Sequence, residues 1–208
     1  MSSARGSGLQ KVGPTTLDLA PVVAEAARVV AGVRDDQLND PTPCEGTSVA
    51  GMLDHFVGLT LAFRLGAEKQ PQSGGPSASA DHLVPDWRTR LPLQLDALVA
   101  AWRDPAAWQG LTEVGGAQLP GGAMGVIAVT EVLVHGWDLA VATGQEYRAD
   151  AVSAQRCLEF AVDFAAGAPE ARNAMFGPVV PVADDAPAMD RLLGQTGRDP
   201  ALSRRMGR

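Results

Sequence analysis

Glu131 and His135 are the side chains in this sequence with the clearest potential for chemistry. They lie four residues apart in a long apolar run, residues 126–142. If that run is a helix, positions i and i+4 lie on one face. The stripe that contains them, which is expected to face the core, also includes Met124, Ile127, Ala128, Leu139 and Ala142. Because an unpaired buried charge is costly, such groups are usually paired or bound to a metal ion. A divalent metal ion would satisfy the carboxylate and the imidazole together.

His55 is the third candidate ligand and comes from a different segment of the chain. It follows Met52 by three residues and precedes Leu59 by four, at the edge of an apolar helical stripe. Metal ligands in a helical bundle come from facing helices, so His55 can meet Glu131 and His135. Two imidazoles and one carboxylate commonly hold a catalytic zinc ion with one position left open, and other divalent transition metals also accept this set.

A simpler interpretation stays open for each of these residues. Glu131 and His135 could form an ion pair on a helix surface. His55 could be a histidine whose hydrogen bonds are satisfied in the core or at its rim. The remaining histidine, His82, lies in a predicted surface loop and is assigned no role.

Hydrophobic periodicity predicts an all-α domain, a bundle with four long helices. Helices are expected over 17–33 with Thr16 as N-cap, from a cap at Thr47 or Ser48 to about residue 67, over 87–102, over 122–143 with Gly144 after the end, over 150–166 and, briefly, over 187–193. Residues 70–80 are expected to form a flexible loop, 111–122 an extended arm or a short hairpin, and 167–181 a connection that contains Pro and Gly. A flexible leader over 1–14 and a flexible tail over 201–208 would flank one domain over 15–200.

Composition limits the classes of partner. The 208 residues are 46% apolar and 20% charged, as in one ordinary globular domain. A net charge of −7 argues against nucleic acid and weakly against an anionic membrane surface. No secretory signal or transmembrane helix is expected. Two cysteines far apart in sequence indicate a cytoplasmic protein. Exposed helix faces would allow a homodimer.

Three motifs resemble a known family. They are Pro41-Thr-Pro-Cys44, then Leu53-Asp-His55-x-x-Gly58, then Glu131-x-x-x-His135-Gly-Trp-Asp-Leu-Ala-Val-Ala-Thr-Gly144. The pattern resembles actinobacterial metal-binding proteins of the DinB-like superfamily, which are similar to the N-terminal domain of mycothiol-dependent maleylpyruvate isomerase. Phe176-Gly-Pro-Val-Val-Pro-Val and the ending Asp190-Arg-Leu-Leu-Gly…Gly197-Arg-Asp-Pro200 extend the resemblance, which covers about residues 15–200.

The resemblance implies a DinB-like four-helix bundle with additional short C-terminal helices. It also implies a divalent metal ion, most often zinc, held by His55, Glu131 and His135. The expected activity is that of a thiol S-transferase or isomerase that uses mycothiol or a similar thiol on a small electrophilic substrate. A bound cation lowers the pKa of a thiol and favours the nucleophilic thiolate. Asp138 could orient a ligand through a hydrogen bond, or be an ordinary residue near a helix end.

Two alternatives to a thiol transferase remain open at this point. The same open metal position could activate water, which would make the protein a metal-dependent hydrolase. The protein could also be a non-catalytic metal- or ligand-binding module. Thr47 favours the second alternative, because the resemblance predicts a tryptophan at that position. Cys44 is interpreted as part of a structural turn, Cys157 as a core residue, and Trp137 as a packing residue.

Overall fold

Four helices of the chain pack into a bundle, and this arrangement confirms the all-α prediction. The computed structural model describes residues 16–70 and 78–206. Within them, the elements are α1 (Ala20–Ala31), α2 (Val49–Ala67), α3 (Trp87–Trp102), β1 (Leu111–Val114), β2 (Ala117–Pro120), α4 (Gly121–Ala142), α5 (Ala151–Gly167), α6 (Pro169–Met175), α7 (Ala188–Gln195) and α8 (Ala201–Met206). Helices α1, α3, α2 and α4 contact each other in that cyclic order. Helix α5 packs on α4, and α7 packs on α5.

Helix α4 lies at the centre of the molecule, and its burial corrects one expectation. Because α1, α2 and α5 all pack against it, α4 is buried on nearly all sides, as a helix that is apolar all round must be. The stripe that contains Glu131 and His135 is therefore not its most buried face. Ile127, Glu131, His135 and Ala142 are its partly exposed positions along that stripe, and this face borders a cavity.

The ends of the long helices follow local capping rules. The Ser48 hydroxyl accepts a hydrogen bond from the Gly51 amide, which confirms the predicted N-cap of α2. Gly144 has a φ of 68° just after α4, as expected for a residue that ends a helix in the left-handed region. The predicted N-cap at Thr16 is wrong, because α1 begins at Ala20. There the Asp18 carboxylate accepts a hydrogen bond from the Ala20 amide.

The Gly-rich segment before α4 is a hairpin, one of the two forms expected for it. β1 and β2 pair antiparallel, with Leu111 opposite Pro120 and Val114 opposite Ala117. Gly115 and Gly116 form the turn with φ values of 60° and 82°. Two consecutive positive φ angles are typical of the tight turn that matches the twist of a hairpin.

The C-terminal part is more helical than expected. The connection predicted over 167–181 contains α6, and the tail predicted over 201–208 is helical as α8. Both helices are too short to show a hydrophobic period, so the sequence pattern missed them. The predicted leader over 1–14 lies outside the described residues. Residues 71–77 of the predicted loop over 70–80 also lie outside them.

Two bundle helices have the length and apolar composition of a membrane span. They are α2 and α4, with mean hydropathies of 1.2 and 1.4. In the folded chain, 56% of the most apolar 18-residue segment of α2 and 83% of that of α4 are buried inside the domain. Packing within the bundle therefore accounts for their apolar composition.

Candidate metal centre

His55, Glu131 and His135 converge on one point between α2 and α4. His55 is on α2, and the other two residues are one turn apart on α4, so the contact of the two helices brings the three side chains together. The Nε2 atom of His55 lies 3.4 Å from Oε2 of Glu131. The Nε2 atom of His135 lies 3.3 Å from the same oxygen. The structure thus assembles the three residues that the sequence analysis selected.

The spacing of the three atoms fits one metal ion. One nitrogen of each imidazole and one Glu131 oxygen all lie within 4.8 Å of one another. Ligands about 2.0–2.1 Å from a tetrahedral zinc ion are about 3.3 Å apart, close to the two separations from Glu131 Oε2. The imidazole rings are perpendicular, with centroids 4.8 Å apart, so they do not stack. Three side chains would leave one tetrahedral position for a further ligand.

Asp138 fixes the other side of His135. It lies one helical turn after His135, is completely buried, and its Oδ2 is 2.9 Å from His135 Nδ1. With Nδ1 donating a hydrogen bond to Asp138, Nε2 is the ring nitrogen that faces Glu131 and His55. Imidazole ligands of metal ions usually have such a carboxylate partner on the second nitrogen. Asp138 therefore occupies the orienting position that the sequence analysis considered for it.

Arg198 in turn holds Asp138 in position. Its Nη2 donates to Asp138 Oδ2 at 3.0 Å, and its Nε donates to Oδ1 at 3.3 Å. This residue follows α7 and was not selected from the sequence. The sequence offers one signal for it, because Arg198 lies in the Gly197-Arg-Asp-Pro200 ending that extends the family resemblance. No periodicity or spacing connects it with Asp138, 60 positions away.

The electrostatics of the cluster favour a positive charge at its centre. Burial disfavours a charged Glu131, but hydrogen bonds from His135 and His55 outweigh it and hold the pKa of Glu131 far below its usual range. Burial also disfavours a charged His135, but its hydrogen bonds to Asp138 and Glu131 raise its pKa to about 10. In the metal-free protein, a proton on His135 therefore supplies the positive charge that a metal ion could supply instead.

The three residues border a cavity of about 730 Å³. That volume is within the usual range of small-molecule sites. The cavity wall combines the turn that precedes α2, the end of α6 and the segment after α7. Its residues include Pro43, Cys44, Glu45, Thr47, Met52, Val134, Met175, Phe176, Pro178 and Arg198. The wall therefore offers both apolar and charged surface beside the three candidate ligands.

Cys44, His135 and Asp138 form a second close group, but it does not suit a metal ion. One potential ligand atom of each lies within 4.8 Å of the others. Both Asp138 oxygens already accept hydrogen bonds from Arg198, and one also contacts His135. A cation placed there would compete with the guanidinium of Arg198. This group is better described as an ion-pair network with a cysteine at its edge.

Four other residues considered from the sequence do not belong to the group of candidate ligands. His82 is exposed, and Cys157 is fully buried. Trp137 is 3% exposed, and its ring nitrogen donates to the Ser203 hydroxyl at 2.8 Å, so it packs in the protein. Thr47 is half-buried in the cavity wall.

The sequence is similar to one described protein family and to two individual proteins. Residues 19–140 match the family described as the mycothiol maleylpyruvate isomerase N-terminal domain. Two proteins of Mycobacterium tuberculosis, from strains CDC 1551 and H37Rv, are each 30% identical over 162 residues, which is 77% of this chain and 81% of theirs. Both are described as uncharacterized. No solved structure matches the chain.

Proposed function

Because this chain belongs to the family of the mycothiol maleylpyruvate isomerase N-terminal domain, within the DinB-like superfamily, we propose that it is a metal-dependent thiol transferase or isomerase. His55, Glu131 and His135 would hold one divalent ion, most favourably zinc. The observation that carries the proposal is the convergence of these three ligand atoms beside a cavity, with Asp138 bound to the far nitrogen of His135.

The donor set agrees with zinc more than with magnesium or calcium. Two imidazole nitrogens are favourable ligands for zinc and its transition-metal neighbours, whereas magnesium and calcium prefer an all-oxygen shell. When bound, such an ion lowers the pKa of a coordinated thiol and maintains the nucleophilic thiolate at neutral pH. The family relationship favours mycothiol as that thiol.

The cavity determines what the protein's own residues can do. Its lining includes the three candidate ligands and Arg198, and it also includes the apolar side chains of Met52, Val134 and Phe176. A thiol with a polar body and a small electrophile with an activated double bond could both enter. In the addition, the sulfur lone pair forms a carbon–sulfur bond, and the thiol proton goes to the adjacent carbon. Reversal after rotation about the former double bond would give isomerisation, whereas release of the adduct would give transfer.

Metal content tests the first part of the proposal. We expect about one divalent ion per chain in the wild type, as measured by elemental analysis after purification without added chelator. His135→Ala and Glu131→Gln should lose most of it, because the first removes a ligand nitrogen and the second replaces an anionic ligand oxygen with a neutral amide oxygen. The matched control is His82→Ala, which removes an exposed imidazole and should keep the full metal content.

Turnover tests the second part. The metal-loaded protein should consume mycothiol in the presence of a generic electrophile, and the His135→Ala variant should not. Metal binding without turnover across several thiols would instead indicate a binding module. Cleavage of esters or amides by water, without any thiol requirement, would indicate a hydrolase. Wild-type protein that retains no divalent ion would contradict the proposal as a whole.

A further inference from the structure

Arg198 lies at the end of a chain of hydrogen bonds that begins at the three candidate ligands. We infer that Arg198 is a positioning residue: it fixes the buried carboxylate of Asp138, and Asp138 fixes the imidazole ring of His135. The inference rests on the proposed metal function. It adds a contribution from the segment after α7, which lies beyond the family match over residues 19–140.

Asp138 needs a positively charged partner. Its side chain is 0% exposed, and a carboxylate so deep in the protein requires compensation. Arg198 supplies two hydrogen bonds, at 3.0 and 3.3 Å, from adjacent nitrogens of one planar group. A guanidinium is permanently charged and matches a carboxylate in this two-nitrogen geometry. Arg198 therefore determines both the charge balance and the orientation of Asp138.

The backbone around Arg198 holds its side chain in a fixed position. The Arg198 amide donates to the Leu193 carbonyl at 2.8 Å, and the Gly197 amide donates to the Gly194 carbonyl at 3.2 Å. These two bonds, with a φ of 81° at Gly197, form the hydrogen-bonded turn that commonly ends a helix. The Arg198 side chain also donates from Nη1 to the Thr196 carbonyl at 2.7 Å. The guanidinium is therefore held in place without any bound metal ion.

The position of Asp138 in turn determines the orientation of the His135 ring. Asp138 uses the same oxygen, Oδ2, for Arg198 Nη2 and for His135 Nδ1. Rotation of the carboxylate after loss of Arg198 would weaken the bond to Nδ1 and release the imidazole ring. Partners of this kind affect metal affinity by about 10- to 100-fold when mutated, although they do not touch the ion.

A double-mutant comparison tests whether Arg198 acts through Asp138. Zinc affinity would be measured by competition with a chromophoric chelator for wild type, Arg198→Gln, Asp138→Asn and the double variant. We expect each single variant to bind zinc about 10- to 100-fold more weakly. The double variant should bind no more weakly than Asp138→Asn alone, since both changes break the same chain of contacts. Arg198→Lys keeps the positive charge but not the two-nitrogen geometry of the guanidinium, so it should lose less zinc affinity than Arg198→Gln.

Arg172→Gln is the matched control. Arg172 is also a buried arginine of the C-terminal region, and its Nη2 donates to the Gln195 carbonyl at 2.7 Å. It has no contact with Asp138, so its loss should leave zinc affinity unchanged. If Arg172→Gln lowers affinity as much as Arg198→Gln, general loosening of this region explains the effect, and the inference is wrong.

A measurement on the metal-free protein separates this inference from the proposed function. In ¹⁵N-labelled protein, the proton on His135 Nδ1 should exchange slowly with water in the wild type and in Arg172→Gln. It should exchange faster in Arg198→Gln, or in Arg198→Lys if the Gln variant does not fold. This result would support the positioning role even if the wild type bound no metal ion. Unchanged exchange in the folded Arg198 variant, or additive affinity losses in the double variant, would overturn the inference.

Discussion

At the scale of single residues, His135 is the junction of the site. One ring nitrogen contacts Glu131 and the other contacts Asp138, so a single imidazole connects the cavity with a buried ion pair. The three candidate ligands could be found from the sequence, because two of them lie one turn apart on an apolar helix. Arg198 lies in a motif that the resemblance includes, but its contact with Asp138 could not be predicted, because it depends on a turn after α7 and joins residues 60 positions apart.

The two cysteines should differ sharply in reactivity. Cys44 is partly exposed in the cavity wall, whereas burial raises the pKa of the Cys157 thiol to about 12. Because the thiolate is the reactive form, native protein at pH 8 should titrate about one thiol with a chromogenic disulfide reagent. Cys44→Ser should titrate none until denaturant is added. Rapid reaction of two thiols in the native wild type would contradict this assignment.

At the scale of elements, α4 links the bundle to the site, and its glycines are matched to its neighbours. A Cβ on Gly125 would lie 2.4 Å from a ring carbon of Trp108 and 2.8 Å from one of Trp102. At Gly122 the nearest atom would be 3.9 Å away, an ordinary contact. The absence of a side chain at Gly125 therefore allows the two tryptophan rings to pack against the helix that carries Glu131 and His135.

This difference gives a prediction about stability. Gly125→Ala should lower the free energy of unfolding by about 1–3 kcal/mol, because the two rigid rings must shift. Gly122→Ala, in the same helix, should be neutral or raise it by up to about 1 kcal/mol, because alanine favours helix. Urea denaturation followed by circular dichroism would measure both variants. Equal effects of the two substitutions would show that ring packing is not the cause.

The helix bounds predicted from the sequence were accurate where the hydrophobic periodicity extends over several turns. Helix periodicity and caps located α2, α3 and α4 within about two residues. The pattern did not reveal α6 or α8, which have seven and six residues, too few for a period to repeat. It also gave α4 a single inward stripe, because a sequence alone does not show that α1, α2 and α5 surround this helix.

At the scale of the whole molecule, metal binding and stability should be coupled. An ion that binds the folded chain and not the unfolded chain stabilises it by about 2.7 kcal/mol at a free concentration of 100 times Kd. For a domain of this size, that corresponds to a rise in Tm of about 5–10 °C. Differential scanning fluorimetry with and without zinc should show the rise in wild type and His82→Ala. His135→Ala should show almost none; a rise as large as in the wild type would place the bound ion elsewhere.

The distance along the chain between His55 and Glu131 has a topological consequence. These residues are 76 positions apart, and α3 and the hairpin lie between them. An ion shared by His55 and Glu131 would close this stretch into a ring, as a covalent cross-link would. Both cysteines are free thiols, so no such link exists between them. Because the ion must be released before His55 and Glu131 can separate, zinc would act as a removable cross-link that resists the separation of α2 from α4.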